Sequence, residues 1–212
     1  MERFIEIKNF GVNLLTLLFL VTIFFTIIQA YALVKQNNKI VKNRSGKSVS
    51  FFFFSYYGFS ALAVIVYGLN ANSLALTING LLGPLALIIV INLLRFKIIG
   101  LKEKIIGLSS FVALPLIILV PQKDLLFLIF GLVISGALGS QILEIWKNKS
   151  AGSVHPGQAI VSLFSNSFWL SYALIMNIWP LKIINGLGLL LWIILLMSYF
   201  RFKPPNIPQT LP

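Results

Sequence analysis

Asn79 and Asn185 are the side chains of this sequence whose type and placement most suggest ligand chemistry. Each sits about six residues into a long apolar stretch, at corresponding positions of two related segments. A primary amide carries two N–H donors and a carbonyl acceptor. Two amides facing one cavity would therefore offer matched donors and acceptors to a small, uncharged, polar solute. The same amides also act as glue between helices in an apolar medium, at ~1–2 kcal/mol or less per contact, and residue type alone does not separate the two roles. Trp169, in the middle of another stretch, presents a flat indole that can stack on the apolar face of a ring and donate one hydrogen bond. Its counterpart in the first half is Val64, so Ser60 or Tyr57, a turn or two earlier, would supply the polar contact there; Asn166, one turn before Trp169, is a further candidate. Trp146 and Trp179 lie at the ends of apolar stretches and suit an interfacial aromatic belt instead.

No reaction chemistry accompanies these groups. The sequence has no cysteine and a single histidine, His155, which excludes thiolate nucleophiles, disulfides and His/Cys metal sites. It holds no nucleophile–base pair, no paired carboxylates and no metal constellation, so neither an enzyme nor a resident metal or cofactor is expected. Ser45-Gly46-Lys47-Ser48 lacks the upstream glycine and the strand of a phosphate-binding loop. His155, beside Pro156, reads as a helix-start or surface residue.

These groups must be positioned by a chain of 212 residues that is 58% hydrophobic and 10% charged, with a mean hydropathy of +0.94. Soluble domains carry roughly 25% charged residues, and disorder needs the opposite composition. The expected fold class is therefore an all-α membrane protein. Apolar stretches cover 12–34, 49–69, 73–94, 105–120, 125–146, 159–178 and 181–200. Six have about 20 residues, enough at 1.5 Å per residue to cross ~30 Å of hydrocarbon. The fourth, at about 16, is either a short span or a core helix covered by its neighbours.

The charges then order the spans. With seven of them, Lys35 to Lys47, Arg95 to Lys104, Lys147, Lys149, Arg201 and Lys203 fall on one side, and only Arg3, Lys8, Lys123 and Lys182 on the other. By the positive-inside rule the N-terminus is outside and the C-terminus cytoplasmic. The net charge of +12 is then a loop property, suited to anionic lipid headgroups rather than to nucleic acid. Glu2 and Glu6 cancel Arg3 and Lys8, so the first stretch lacks the basic flank of a cleavable signal and is a retained helix. All five acidic residues, Glu2, Glu6, Glu103, Asp124 and Glu144, are expected in loops or at span ends. Proton coupling needs an ionisable group inside the membrane, so this placement points to a solute moving down its own gradient.

The chain also repeats itself at an offset of 105 residues. Lys42-Asn43-Arg44-Ser45-Gly46-Lys47-Ser48-Val49 lies over Lys147-Asn148-Lys149-Ser150-Ala151-Gly152-Ser153-Val154, Phe59-Ser60 over Phe164-Ser165, and Tyr67-Gly68-Leu69 over Tyr172-Ala173-Leu174. One inserted residue later Ile78-Asn79-Gly80-Leu81 lies over Ile184-Asn185-Gly186-Leu187, and Arg95-Phe96-Lys97 over Arg201-Phe202-Lys203. The expected organisation is a three-helix unit over 1–100, a linker helix over 101–122, a second three-helix unit over 123–203, and a short cytoplasmic tail over 204–212. Three helices plus one linker give a parallel repeat about an axis along the membrane normal, with the pathway between the copies. Pro115 is expected to kink the linker, and Gly80, Gly83, Gly186 and Gly188 to be close-packing positions.

This 3-1-3 pattern, with the Ser-Gly-Lys-Ser and Lys-Ser-Ala-Gly-Ser segments, Tyr67-Gly68-Leu69, Trp169-Leu170-Ser171-Tyr172-Ala173-Leu174, Asn79-Gly80 and Asn185-Gly186, resembles the SWEET and PQ-loop superfamily of small-solute transporters over nearly the whole chain. The resemblance implies alternating access, a sugar as solute, and substrate-lining roles for Asn79, Asn185 and Trp169. The family's Pro-Gln pair appears here as Ser140-Gln141, and in the first unit as Ile28-Gln29 or Lys35-Gln36, with the proline missing. Gln141, Gln29 and Gly139 are the resulting hinge or gate candidates, Gly136 and Gly139 being able to loosen the same region. The expected function is facilitated diffusion of a mono- or disaccharide across a plasma (cytoplasmic) membrane. The alternative, which the missing prolines suit, is a non-transporting member acting as a receptor, lipid-interacting or assembly partner. One chain holds both halves, so a homo-oligomer is possible but not required for a pathway.

Overall fold

The computed structural model describes residues 3–46, 49–149 and 156–202; the side chains at 39, 43, 140, 141, 144, 147, 148 and 156–158 fall outside that description. Lys47, Ser48, His155, Lys203 and the 204–212 tail therefore lie outside the described residues, as does the Gln141 side chain. The described residues are helical, without a strand. A one-turn helix α1 (Ile5–Lys8) precedes α2 (Leu14–Asn43), α3 (Phe51–Asn70), α4 (Leu74–Gly80) and α5 (Leu82–Phe96). Then come α6 (Leu101–Ser109), a 3-10 turn at Ser110–Val112, α7 (Ala113–Leu119), α8 (Lys123–Asn148), α9 (Pro156–Ile175) and α10 (Trp179–Arg201). Among the described residues, four rods are long and apolar enough to cross a membrane: α2, α3, α4 with α5, and α10.

Local residues start and stop these helices. The Asn13 side chain accepts the Thr16 N–H at 2.9 Å, Ser50 that of Phe53 at 3.1 Å, and Ser73 that of Leu76 at 3.2 Å, each satisfying an orphan donor of a first turn. Pro180 sits in the first turn of α10, where its missing N–H has no partner to lose. α2 and α8 end on Arg44 and Lys149 in the left-handed region, at φ 44° and 47°, and the turns before α4 and α10 hold Asn72 and Asn177 at φ 50° and 52°. These are the non-glycine residues with positive φ among the described ones, and they form two pairs 105 residues apart. The offset seen in the sequence thus recurs in the backbone.

Side-chain exposure separates a lipid-type face from the packed one. On α2, Leu17, Leu20, Phe24, Ile27, Tyr31 and Val34 are exposed at alternating spacings of three and four, while Leu18, Phe19, Thr22 and Thr26 are buried. Where lipid is as apolar as leucine, helices associate through close backbone approach rather than through the hydrophobic effect. A Cβ on Gly68 would lie 2.6 Å from the Thr77 backbone nitrogen, one on Gly80 2.7 Å from the Ala61 carbonyl, and one on Gly83 2.8 Å from the Gly58 carbonyl. These glycines draw α4 and α5 onto α3, and α2 packs on both α4 and α5 to complete a first bundle. α8, α9 and α10 form a second. The α6–α7 segment lies along α3, and α7 also touches α8 through a cluster of Ala63, Ala113, Ile117 and Phe130.

Three features refine the sequence reading. α2 continues to Asn43, well past the apolar stretch that ends at residue 34. The third stretch is broken at Leu81, whose N–H bonds the Ile78 carbonyl between the two close-packed glycines. The linker is broken at Ser110–Val112, because Pro115 offers no N–H to the Phe111 carbonyl and its ring crowds that carbonyl. One expectation is corrected: a Cβ on Gly186 would meet nothing within 4 Å, so that glycine is not a close-packing position, whereas Gly80, Gly83 and Gly188 are. Position 186 turns away from its neighbours even though its repeat mate Gly80 is wedged against Ile65.

Candidate functional site

Two apolar clusters join the bundles, the one around Ile117 and a larger one at the end of the molecule that bears the N-terminus. Leu18, Phe19, Tyr67, Ala75 and Leu76 of the first bundle interlock there with Phe127, Trp169, Tyr172, Ala173 and Leu181 of the second. The Tyr67 ring stacks on Phe127 at a centroid distance of 4.1 Å. Toward the opposite, lysine-rich end the cores separate: Ile40, Phe51, Ile89, Val90, Leu93 and Ile99 cluster within the first half, and Leu138, Ile142, Ile145, Ala159 and Leu195 within the second. One end is sealed by both bundles, whereas each core at the other end belongs to one.

Between the ends, the bundles touch along two seams, α2 against α9 and α3 against α8, which the 105-residue repeat makes equivalent. On the first seam Phe25 stacks on Phe168 at 5.6 Å, and Gln29 Nε2 donates to Ser165 Oγ at 3.3 Å. The matching positions on the second seam are Ile134 for Gln29 and Ser60 for Ser165. The second seam keeps the serine and loses the amide. Consistently, the Ser60 hydroxyl is 2% exposed and without a hydrogen-bond partner among the described residues.

The remaining residues singled out from the sequence are distributed as follows. Asn79, half-buried, donates to Thr26 Oγ1 at 3.1 Å, and Asn185, 6% exposed, donates to the Leu181 carbonyl at 2.8 Å in its own helix. No hydrogen bond joins the two amides; each places a donor within its own bundle. Asn166 donates to the Ser162 carbonyl at 2.8 Å, and its Oδ1 occupies the space a Gly188 side chain would need. Trp169 is buried in the shared cluster, edge-to-face with Tyr172 at 5.6 Å. Tyr57 is half-buried with its ring stacked on Phe53 at 6.0 Å. A Cβ on Gly139, or on Gly136, would meet nothing within 4 Å. Gln29 is a group that crosses from one bundle to the other.

Two acidic residues were missed by sequence reasoning, which placed both in loops or at span ends. Glu6, in α1, is fully buried. Its carboxylate accepts the Leu74 and Ala75 N–H groups at 3.0 and 3.1 Å, the Ser73 hydroxyl at 3.1 Å, and a short hydrogen bond from the Tyr172 hydroxyl. Arg3 pins the same segment, donating to Asn72 Oδ1 at 2.8 Å and to the Leu69 carbonyl at 2.7 Å. Asp124, in the first turn of α8, accepts the Tyr67 hydroxyl at 2.6 Å and the Trp179 indole N–H at 3.2 Å. A recess of about 450 Å³ lined by Gln122, Asp124 and Trp179 opens beside it. Tyr67 and Tyr172 are repeat mates, which is the signal the sequence carried. Glu6 and Asp124 are not in register with each other, and self-comparison passes over them.

Residues 124–206 match the family model described as "Sugar efflux transporter for intercellular exchange". The chain is also similar in fold to the solved structure of a eukaryotic SWEET transporter, with a TM-score of 0.65 and 16% sequence identity over 89% of this chain and 96% of that one. No curated protein matches significantly in sequence. Both likenesses are to transporters rather than enzymes. Residues 124–206 are thus similar to a sugar efflux transporter family, and the chain as a whole shares the fold of a SWEET transporter, with four helices among the described residues long and apolar enough to cross a membrane.

Proposed function

We propose that the protein is a uniporter that carries a small uncharged sugar, a mono- or disaccharide, by alternating access. The arrangement behind the proposal is two three-helix units, 1–100 and 123–203, joined by the linker over 101–122, in seven spans of a plasma (cytoplasmic) membrane. The N-terminal end faces outside and the lysine-rich end the cytoplasm. The observation that carries the reading is the asymmetry of the cores: one cluster common to both bundles at the N-terminal end, and separate clusters at the other. In that arrangement the outer end is closed. Turnover parts the shared cluster while the lysine-rich ends of the bundles approach.

The chemistry of the seams suits a polar, uncharged solute. Asn79, Asn185, Ser60 and Gln29 offer amide and hydroxyl groups, and among the described side chains no charged one lies at mid-helix depth. The Ser60 hydroxyl, buried without a partner, is a group whose desolvation a solute hydroxyl would offset. Its apolar opposite number, Ile134, makes the site one-sided, as an asymmetric ring requires. Trp169 forms the outer wall and Tyr57 and Asn166 the flanks; Gly139 and Gln141 are the hinge positions of the second unit.

Uptake of radiolabelled hexoses and disaccharides into proteoliposomes tests this reading. Uptake is expected to run down the sugar gradient and to survive a protonophore. A rate that collapses when the proton gradient alone is dissipated overturns uniport, and no uptake of any sugar overturns the assignment.

A further inference from the structure

The linker is fixed to the first unit along its length but to the second unit only at one end. At the start of α6 the Lys97 ammonium donates to the Val49 carbonyl at 3.0 Å and to Glu103 at 3.2 Å. Further along, a Cβ on Gly107 would lie 2.6 Å from the Phe51 ring, so α6 is wedged against α3. α7 reaches α8 through Ala113, Ile117 and Phe130, whereas α6 makes no close backbone approach to α8 among the described residues. The linker and α8 therefore diverge toward the lysine-rich end and leave a slot between them.

That slot is a recess of about 310 Å³, with Phe52 and Tyr56 of α3 as its floor, Ile106 and Leu116 on the linker side, and Phe130 and Val133 on α8. Ser109 and Ser110 also line it, but their hydroxyls donate to the Ile106 and Gly107 carbonyls of the linker itself. Apart from the Tyr56 hydroxyl, the lining is apolar in effect. Ile106 to Leu116 is about 15 Å of helix, the depth of hydrocarbon in one leaflet of a ~30 Å core. A second helix, ~10 Å across, laid along that length needs several times the volume, whereas a single acyl chain is slim enough to enter. The mouth carries charge. Lys102 precedes Ile106 by four residues, one turn nearer the lysine-rich end on the same face of α6. Lys102 and Lys104 are exposed, and Glu103 between them is taken by Lys97, so neither ammonium has an ion-pair partner among the described residues.

We infer that this slot binds an anionic phospholipid from the leaflet at the lysine-rich end, with one acyl chain between α6 and α8 and the phosphate against Lys102 and Lys104. A basic mouth over an apolar slot between helices favours anionic headgroups over zwitterionic ones. The bound chain supplies the packing that α6 lacks against the second unit. The inference goes beyond the transport reading and does not depend on it, because lipid binding is read with no sugar present.

Full-length protein in neutral detergent is titrated with phosphatidylglycerol, or with phosphatidylcholine of the same chains, and bound lipids are counted by native mass spectrometry. One phosphatidylglycerol is expected to bind on the order of tenfold more tightly than phosphatidylcholine, the scale of two lysines on one phosphate. Lys102→Gln with Lys104→Gln is expected to erase that preference. Lys35→Gln with Lys42→Gln removes the same charge from exposed positions of α2 at the same end and is expected to leave it intact. Ser109→Phe and Val133→Phe each place a ring in the slot, from opposite walls. Either is expected to weaken phosphatidylglycerol on the order of tenfold with both lysines present, and each stands in for the other should one fail to fold. Equal binding of the two lipids, or equal losses from both lysine pairs, overturns the site. Phosphatidylglycerol binding that ignores both phenylalanines overturns the acyl slot. A dimer in the same spectra that these phenylalanines dissolve assigns the slot to a second copy, which also overturns the inference. Sugar uptake in proteoliposomes keeps the two readings apart: a protein that selects phosphatidylglycerol at this slot but moves no sugar removes the transport assignment and leaves the lipid site standing.

Discussion

Replacing Asn79 or Asn185 by alanine separates a binding role from a packing role, because the structure makes the packing cost small. Asn79 gives up one hydrogen bond, to Thr26 Oγ1 at 3.1 Å. The Thr26 hydroxyl still donates to the Thr22 carbonyl at 2.9 Å, so no buried donor is orphaned, and a cost of about 0.6 kcal/mol is expected for such a contact between membrane helices. Asn185 gives up a bond to the Leu181 carbonyl, within its own helix, whose loss costs no more. If the amides converge on one solute, each variant loses two or three neutral hydrogen bonds at ~0.5–1.5 kcal/mol apiece, so affinity falls roughly tenfold or more. Thr26→Ala serves as a control: it frees the Asn79 amide without removing it, and sugar affinity is expected to stay close to that of the parent. Thermal stability and equilibrium sugar binding are measured on the same purified variants. Normal affinity accompanied by a drop in Tm in Asn79→Ala and Asn185→Ala would refute the site and make the amides interhelical glue.

Three further outcomes follow from particular positions. Gly139→Ala has open space for its methyl group and gains ~0.8–1.0 kcal/mol of helix propensity; Tm is expected to rise while turnover falls, and an unchanged turnover removes Gly139 as a hinge. Gly68→Ala would set a Cβ 2.6 Å from the Thr77 nitrogen and is expected to lower stability by ~1–3 kcal/mol, read as a lower Tm; a neutral result would contradict the close approach of α3 and α4. For topology, Asn70→Cys, exposed at the end of α3, should react with an impermeant reagent applied outside intact cells, and Lys102→Cys, exposed on α6, should not. The reverse pattern would overturn the charge argument.

The apolar stretches were legible because hydropathy and length nearly suffice: the ends of α3, of the α4–α5 rod, and of α8, α9 and α10 fall within three residues of the sequence boundaries. Capping residues and Pro115 carried the local breaks that polar or imino chemistry causes. The interruption at Leu81 was not legible, since leucine continues the apolar run and the cause is tertiary, the approach of α3 to Gly80 and Gly83. Glu6 is the larger lesson. A carboxylate seven residues before the capping residue of α2 reads as solvated loop, and only the fold brings it to Tyr172, 166 residues away, and to the N–H groups of α4. The role expected of Trp169 also changes with context: its indole meets Tyr172 in the closed cluster rather than a free cavity. The repeat was visible throughout, yet its functional asymmetry at Gln29, Ser60, Ile134 and Ser165 emerges only once the two seams are matched.

Counterflow tests the central claim most directly. Proteoliposomes are loaded with an unlabelled sugar and diluted into a trace of the same sugar carrying a radiolabel. A two-unit carrier that exposes its site to one side at a time is expected to accumulate label transiently above the outside concentration, because unlabelled sugar leaving the vesicle returns the site to the outside. The overshoot should disappear when the vesicles are not preloaded. Label that only equilibrates, with no overshoot for any sugar that crosses, or no entry at all for the hexose and disaccharide panel, would contradict the account.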